Sequence, residues 1–188
     1  MSITGLNLLV HAAGKNGIMA EQVGFLRLYN MTIQGFTNDG IHIASANSNL
    51  AIYITQIKNN GNDGLLLDAA GTRAYVQDSA FDDNAVAGAD SGAGKLTITD
   101  SAAEYNLSGF YAHGGTVALS GDRAIFNGTA LAVSFGGNLH FANCLLSDNT
   151  TAWVVMAGGV LSGSSPGTTL TTPGQKETGP LSPGTTLD

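Results

Sequence analysis

The chain has 188 residues, among them 26 glycines, with 7 lysines or arginines and 14 aspartates or glutamates giving a formal charge of −7. That acidic balance excludes the electrostatic footprint of a nucleic-acid or anionic-membrane binder, and one cysteine, Cys144, excludes an intrachain disulfide or a cysteine-rich metal site. No basic segment followed by an apolar run opens the sequence, and no stretch approaches the ~18 apolar residues of a membrane helix, so neither a signal peptide nor a membrane span is predicted.

Taken in chain order, the apolar residues recur in one frame. Its anchor is held by Asn60, Asn84, Asn106, Asn127 and Asn149, spaced 24, 22, 21 and 22, and Ala13 and Phe36 extend it backwards. The first copy then reads Ile3, Val10 and Gly17/Ile18, and the second Leu26/Leu28, Ile33 and Gly40/Ile41. The third reads Leu50/Ile52, Ile57 and Gly64/Leu65; the fourth Ala74/Val76, Phe81 and Gly88/Ala89; the fifth Leu96/Ile98, Ala103 and Phe110/Tyr111. The sixth has Val117/Leu119, Ala124 and Leu131/Ala132, and the seventh Leu139/Phe141, Leu146 and Trp153/Val154.

Within each copy, short alternating stretches are separated by Gly, Asn, Asp and Ser. Alternation predicts strands, and the stretches are too short for helices. One copy cannot bury its own inward face, so the copies stack like on like into a three-sided coil of parallel strands. Six residues before each anchor, Asn7, Asn30, Asp78, Asp100 and Asn143 predict a sharp turn that tolerates left-handed backbone, interrupted by Ile54 and Gly121. The five anchor asparagines predict an amide ladder joining coil to coil. All four prolines lie beyond residue 161, where the chain turns to Gly, Ser, Thr and Pro. The predicted organisation is therefore a coiled domain over 1–161 and a flexible tail over 162–188.

Blocks such as Leu50-Ala51-Ile52 followed by Asn60-Gly61-Asn62-Asp63-Gly64-Leu65-Leu66-Leu67, repeated through residues 2–161, resemble the right-handed parallel β-helix family, the pectate-lyase-like superfamily. The resemblance implies an all-β fold, a right-handed single-stranded parallel β-helix of about seven coils of 21–24 residues. It also implies an extracellular or cell-surface setting. The family spans polysaccharide lyases and hydrolases, phage tailspikes and surface proteins, so fold alone leaves function open.

In polygalacturonase-like members the acids sit at the turn entering a long strand. The matching turns here, 37–41 and 61–65, place Asp39 and Asp63 one coil apart with His42 just beyond, as candidates for glycoside hydrolysis. The family's paired aspartates and Gly-His-Gly turn have no counterpart, and the column is expected to continue as Ala87, Gly109, Ala130 and Ala152. Asp39 and Asp63 therefore read first as turn formers. Asp82, Asp83 and Glu104 fall on one edge of adjacent coils and, like a pectate lyase's cluster, are candidate Ca²⁺ ligands, with Lys58 opposite Asp82 and Arg123 out of column. Tyr29 and Tyr53 share an outward position on successive coils and are candidates for stacking on a sugar. Asp68, Asp90, Asp122 and Asp148 read as single turn acids, and Cys144 as a small buried hydrophobe.

These observations favour a non-catalytic structural or adhesive module with weak contact to a polysaccharide or cell-surface glycan, and no cofactor. One alternative is a polysaccharide hydrolase or calcium-dependent lyase. Another is a self-associating scaffold or a truncated family member, because Met1 begins almost inside the first coil and unpaired coil ends are adhesive edges.

Overall fold

The computed structural model describes residues 1–5, 7–9, 15–164, 168–170 and 176–178. Three parallel sheets of eight strands run along a rod, each gaining one strand per coil. Sheet A stacks Ser2–Thr4, Phe25–Tyr29, Asn49–Tyr53, Arg73–Gln77, Lys95–Thr99, Thr116–Ser120, Asn138–Ala142 and Val160–Ser164. Sheet B stacks Asn7–Leu9, Thr32–Gln34, Gln56–Lys58, Ala80–Asp82, Ala102–Glu104, Arg123–Ile125, Leu145–Ser147 and Thr169–Leu170. Sheet C stacks Ile18–Ala20, Ile41–Ile43, Leu65–Leu67, Ala87–Ser91, Ser108–His113, Thr129–Ser134, Thr151–Val155 and Lys176–Thr178. The chain visits A, B and C in turn, so successive strands never form a hairpin and the fold is a right-handed parallel β-solenoid of about seven turns. The described part of the Gly/Ser/Thr/Pro segment supplies the last strand of each sheet.

The inward columns follow the repeat. Leu26, Leu50, Ala74, Leu96, Val117 and Leu139 stack in one file of sheet A, and Leu28, Ile52, Val76, Ile98, Leu119 and Phe141 in the next. All twelve are buried. Neighbouring coils trade volume: Phe81 lies over Ala103 in sheet B, while Ala89 lies beside Phe110 in sheet C. Each of these two coils thus fills its cross-section with one large ring and one alanine, which conserves volume without widening the rod.

Two parts of the register differ from the predicted frame. In the first coil Ile3 pairs with Leu28 rather than Leu26, and Leu8 rather than Val10 pairs with Ile33; Val10 lies outside the described residues. Gly5, not Asn7, takes the left-handed turn position. A slip of two residues keeps every side chain on its face, so alternation alone cannot detect it, and Ala13 at the anchor offers no ladder side chain to fix the register. In the fifth coil the link from Asn106 into sheet C is one residue shorter than the link from Asn84, and Ala87 pairs with Ser108. An odd step exchanges faces, so Phe110 goes in and Tyr111 goes out. The file beyond Ala87 is consequently Ser108, Thr129 and Thr151, not Gly109, Ala130 and Ala152.

Each turn bends through a left-handed residue. Between A and B the file is Gly5, Asn30, Ile54, Asp78, Asp100, Gly121 and Asn143; between B and C it is Gly35, Asn59, Asp83, Tyr105, Phe126 and Asp148. The residue after each bend has an N–H that the sheets do not take, and a side chain of the adjacent coil accepts it. After the second bend this is the asparagine file. The N–H groups of Asn60, Asn84, Asn106 and Asn127 donate to the Oδ1 of Asn84, Asn106, Asn127 and Asn149 at 3.3, 2.9, 2.9 and 2.8 Å. Asn106 Nδ2 also donates back to the Phe81 carbonyl at 2.9 Å and forward to Asn127 Oδ1 at 3.1 Å, so each amide bonds to the coils on both sides. After the first bend a hydroxyl file does the same work: Thr55 N–H to Ser79 Oγ, Ser79 N–H to Ser101 Oγ and Ser101 N–H to Asp122 Oδ1, at 3.1, 3.1 and 2.8 Å.

Two outcomes follow for stability. Asn106→Ala is expected to lose about 1–3 kcal/mol in equilibrium urea unfolding, because it strands the buried Asn84 N–H and several carbonyls. Ile54 holds φ 51° although β-branched, and is 48% exposed. Ile54→Asn is therefore expected to gain about 1 kcal/mol in the same measurement by relieving left-handed strain.

Candidate functional site

The turn entering sheet C carries a third ladder, and the candidate acids are its rungs. Asp39 N–H donates to Asn16 Oδ1 at 3.1 Å, Asp63 N–H to Asp39 Oδ1 at 3.2 Å, and Ala87 N–H to Asp63 Oδ1 at 2.9 Å. Asp39 is 1% exposed and also accepts from Asn62 Nδ2 at 2.7 Å and Asn38 Nδ2 at 3.0 Å, with His42 Nδ1 3.1 Å from its Oδ2. The sequence therefore brings Asp39, Asp63 and His42 together, but both oxygens of Asp39 are occupied by structural donors. Asp63 is less well served. Burial lifts its carboxyl to about 7, opposed by the Ala87 N–H and reinforced by the neighbouring Asp39 charge.

The adjoining acid, read from the sequence as a single turn acid, stands in a strand instead. Asp90 lies in the strand Ala87–Ser91, on the outer face of sheet C between Leu66 and Tyr111. It is 4% exposed, and its Oδ1 has no hydrogen-bond partner. Burial, and next the charge of Asp63, push its carboxyl up to about 8 against the backbone N–H groups of His113 and Ser91. Aspartate is poorly suited to a strand interior, and Asp90 is the one acid in the outward file of His42, Leu66 and Tyr111. Asp63, Asp90, Asp68, Tyr111 and His113 line one concavity of about 340 Å³.

The other candidates lie elsewhere. Asp82 pairs directly with Lys58 on one side and Glu104 on the other. Asp82 accepts from Gln56 Nε2 at 3.4 Å, and Glu104 meets Arg123 Nη2 at 4.0 Å despite its offset. Burial raises the Asp82 pKa, opposed by Gln56. Among the described residues no three His, Cys, Asp or Glu side chains converge on a metal position. Tyr29 and Tyr53 do face each other across adjacent rungs of sheet A. Arg27 sits over the Tyr53 ring at 5.3 Å, and Tyr75 follows at 5.9 Å between ring centres.

A rod of three parallel sheets with polar ladders in its turns defines a class, the parallel β-solenoids. The family described as a right-handed β-helix region matches residues 7–171, and the chain belongs to that family. A search of curated proteins found no match.

The buried acids set a pH dependence. Burial raises Asp122 to about 7, against N–H bonds of 2.8 Å from each of Ser101 and Ser120 and with Asp100 adding. A carboxyl raised in the folded chain holds a proton that the unfolded chain releases above pH ~4, so its stabilisation is complete below that pH. That stabilisation is lost as pH rises through the raised values of Asp63, Asp90 and Asp122, about 7, 8 and 7. The urea midpoint is expected to fall between pH ~5 and ~8.5. Asp122→Ser, which keeps a ladder oxygen like that of Ser79 and Ser101, is expected to flatten that fall.

Proposed function

We propose that the chain is a non-catalytic β-helical module, structural or adhesive, that touches glycans through its sheet faces. The observation that carries this reading is the use of Asp39 and Asp63 as turn rungs, with the Asp39 carboxylate saturated by donors. A general acid or nucleophile needs a lone pair or proton directed at substrate. Asp39 has none free. The connections support the same conclusion: between residues 25 and 164 none exceeds six residues, the longest being 35–40 and 59–64. Turns this short raise no walls to exclude water or to hold a sugar chain in a distorted conformation.

Glycan contact draws on the strip of Tyr29, Tyr53 and Tyr75 with Arg27 beside it. Tyr29 and Tyr75 are 39% and 37% exposed. Flat rings on a flat sheet suit the apolar face of a sugar, and such contacts are weak individually.

Reducing-end and unsaturated-product assays on acidic and neutral polysaccharides, with and without Ca²⁺, are expected to show no turnover. In affinity electrophoresis the chain is expected to be retarded by at least one of those polysaccharides, and Tyr53→Ala to lose most of that retardation. Turnover abolished by Asp63→Asn would overturn the non-catalytic reading. Retardation unchanged in Tyr53→Ala would overturn the assignment of the tyrosine strip.

A further inference from the structure

We propose that the concavity on sheet C binds a primary ammonium group, held by Asp90 and Asp63 beside the stacked rings of Tyr111 and His113. This site is separate from the tyrosine strip of sheet A and does not depend on it.

The first observation is a group left without a partner. Asp90 is 4% exposed, it lines the concavity, and its Oδ1 has no hydrogen-bond partner. His113 Nδ1 stands 3.8 Å from its Oδ2, beyond hydrogen-bond distance, and the backbone N–H groups of His113 and Ser91 offset the burial of the carboxylate only in part. Buried polar atoms are almost always satisfied, and an under-bonded carboxylate in the lining of a cavity is where a ligand's donor belongs.

The second observation is uncompensated charge. Asp63, Asp68 and Asp90 line the same space, and neither lysine nor arginine does. Gathering carboxylates out of water with no cation is costly, and the upward shifts of Asp63 and Asp90 express that cost. A ligand that brings positive charge removes it. Anionic ligands, uronate chains included, would add to it.

The third observation selects the cation. Among the described residues no metal-ligating triad forms, so a bare metal ion lacks its coordination shell. Tyr111 and His113 stack at 5.2 Å with their planes 9° apart, and Phe135 closes on His113 at 5.0 Å. Ring faces beside carboxylates attract an organic cation. A primary ammonium is compact and carries three N–H donors, enough for the carboxylates of Asp90 and Asp63 that line these about 340 Å³.

The same ammonium is presented by an amino sugar or by an aliphatic amine, and calorimetry on the full chain separates the two. The probes are a glucosamine tetramer, its fully N-acetylated counterpart and spermidine. The glucosamine tetramer is expected to bind at least about tenfold tighter than the acetylated one, as loss of a charge-assisted hydrogen bond requires. Spermidine binding as tightly as the tetramer would assign the site to aliphatic amines, and weaker spermidine binding to amino sugars. Asp90→Asn is expected to remove most of the preference for the free amine. Asp68→Asn, on the exposed rim and without risk to folding, is expected to weaken it about two- to fivefold. Equal binding of the free and acetylated tetramers, no binding of either amine, or a preference unchanged in both variants would overturn the proposal. Tyr53→Ala, which probes the glycan strip, is expected to leave ammonium binding intact, so failure of one site is distinguishable from failure of the other.

Discussion

The structure depends on one constraint. A chain that bends from sheet A into B and again from B into C leaves N–H groups there that no sheet can use, and each needs an acceptor. Here the acceptor is a side chain of the adjacent coil, repeated in files: asparagines after the B–C bend, serines and threonine after the A–B bend, and Asn16, Asp39 and Asp63 at the entry to sheet C. Each rung bonds to its neighbour, so the position of one coil fixes the next. The sheets and the apolar files stack in register because the corners do.

How much of this the sequence reveals depends on how many residue types can fill a rung. The asparagine file is legible because an amide that both accepts and donates has no close substitute, so Asn60 to Asn149 recur almost unbroken. The hydroxyl file is not legible: Thr55, Ser79, Ser101 and Asp122 differ in type, and a small hydroxyl is common in any turn. The left-handed corners are half legible. Asn30, Asp78 and Asp100 announce them, while Ile54, Tyr105 and Phe126 hold the same conformation against their intrinsic preference because the neighbouring coils impose it. Tyr105 and Phe126 recover part of that strain by stacking at 5.1 Å on the outer ridge.

The candidate site divides along the same line. Asp39 and Asp63 could be placed one coil apart from their spacing alone, because spacing is what a ladder conserves within one chain. The saturation of Asp39 by Asn62 and Asn38 could not, since it depends on side-chain direction. Asp90 reads as a turn acid from its Gly, Ala and Ser neighbours, and the shortened link after Asn106 hid that Tyr111 faces outward beside it. The acids of this chain thus serve two roles. Those that accept N–H groups of the adjacent coil hold corners, and the one with an unpartnered oxygen lines a cavity.

Native-state hydrogen exchange of the Asn side-chain amides and of the backbone N–H groups they cap tests the dependence on the ladders most directly. If the ladders hold the coils, Asn84, Asn106 and Asn127 exchange only with global unfolding, as slowly as the buried strand amides of Val76 and Ile98. Exchange of those corners well ahead of the sheets would contradict it, and would make the apolar files sufficient to hold the rod.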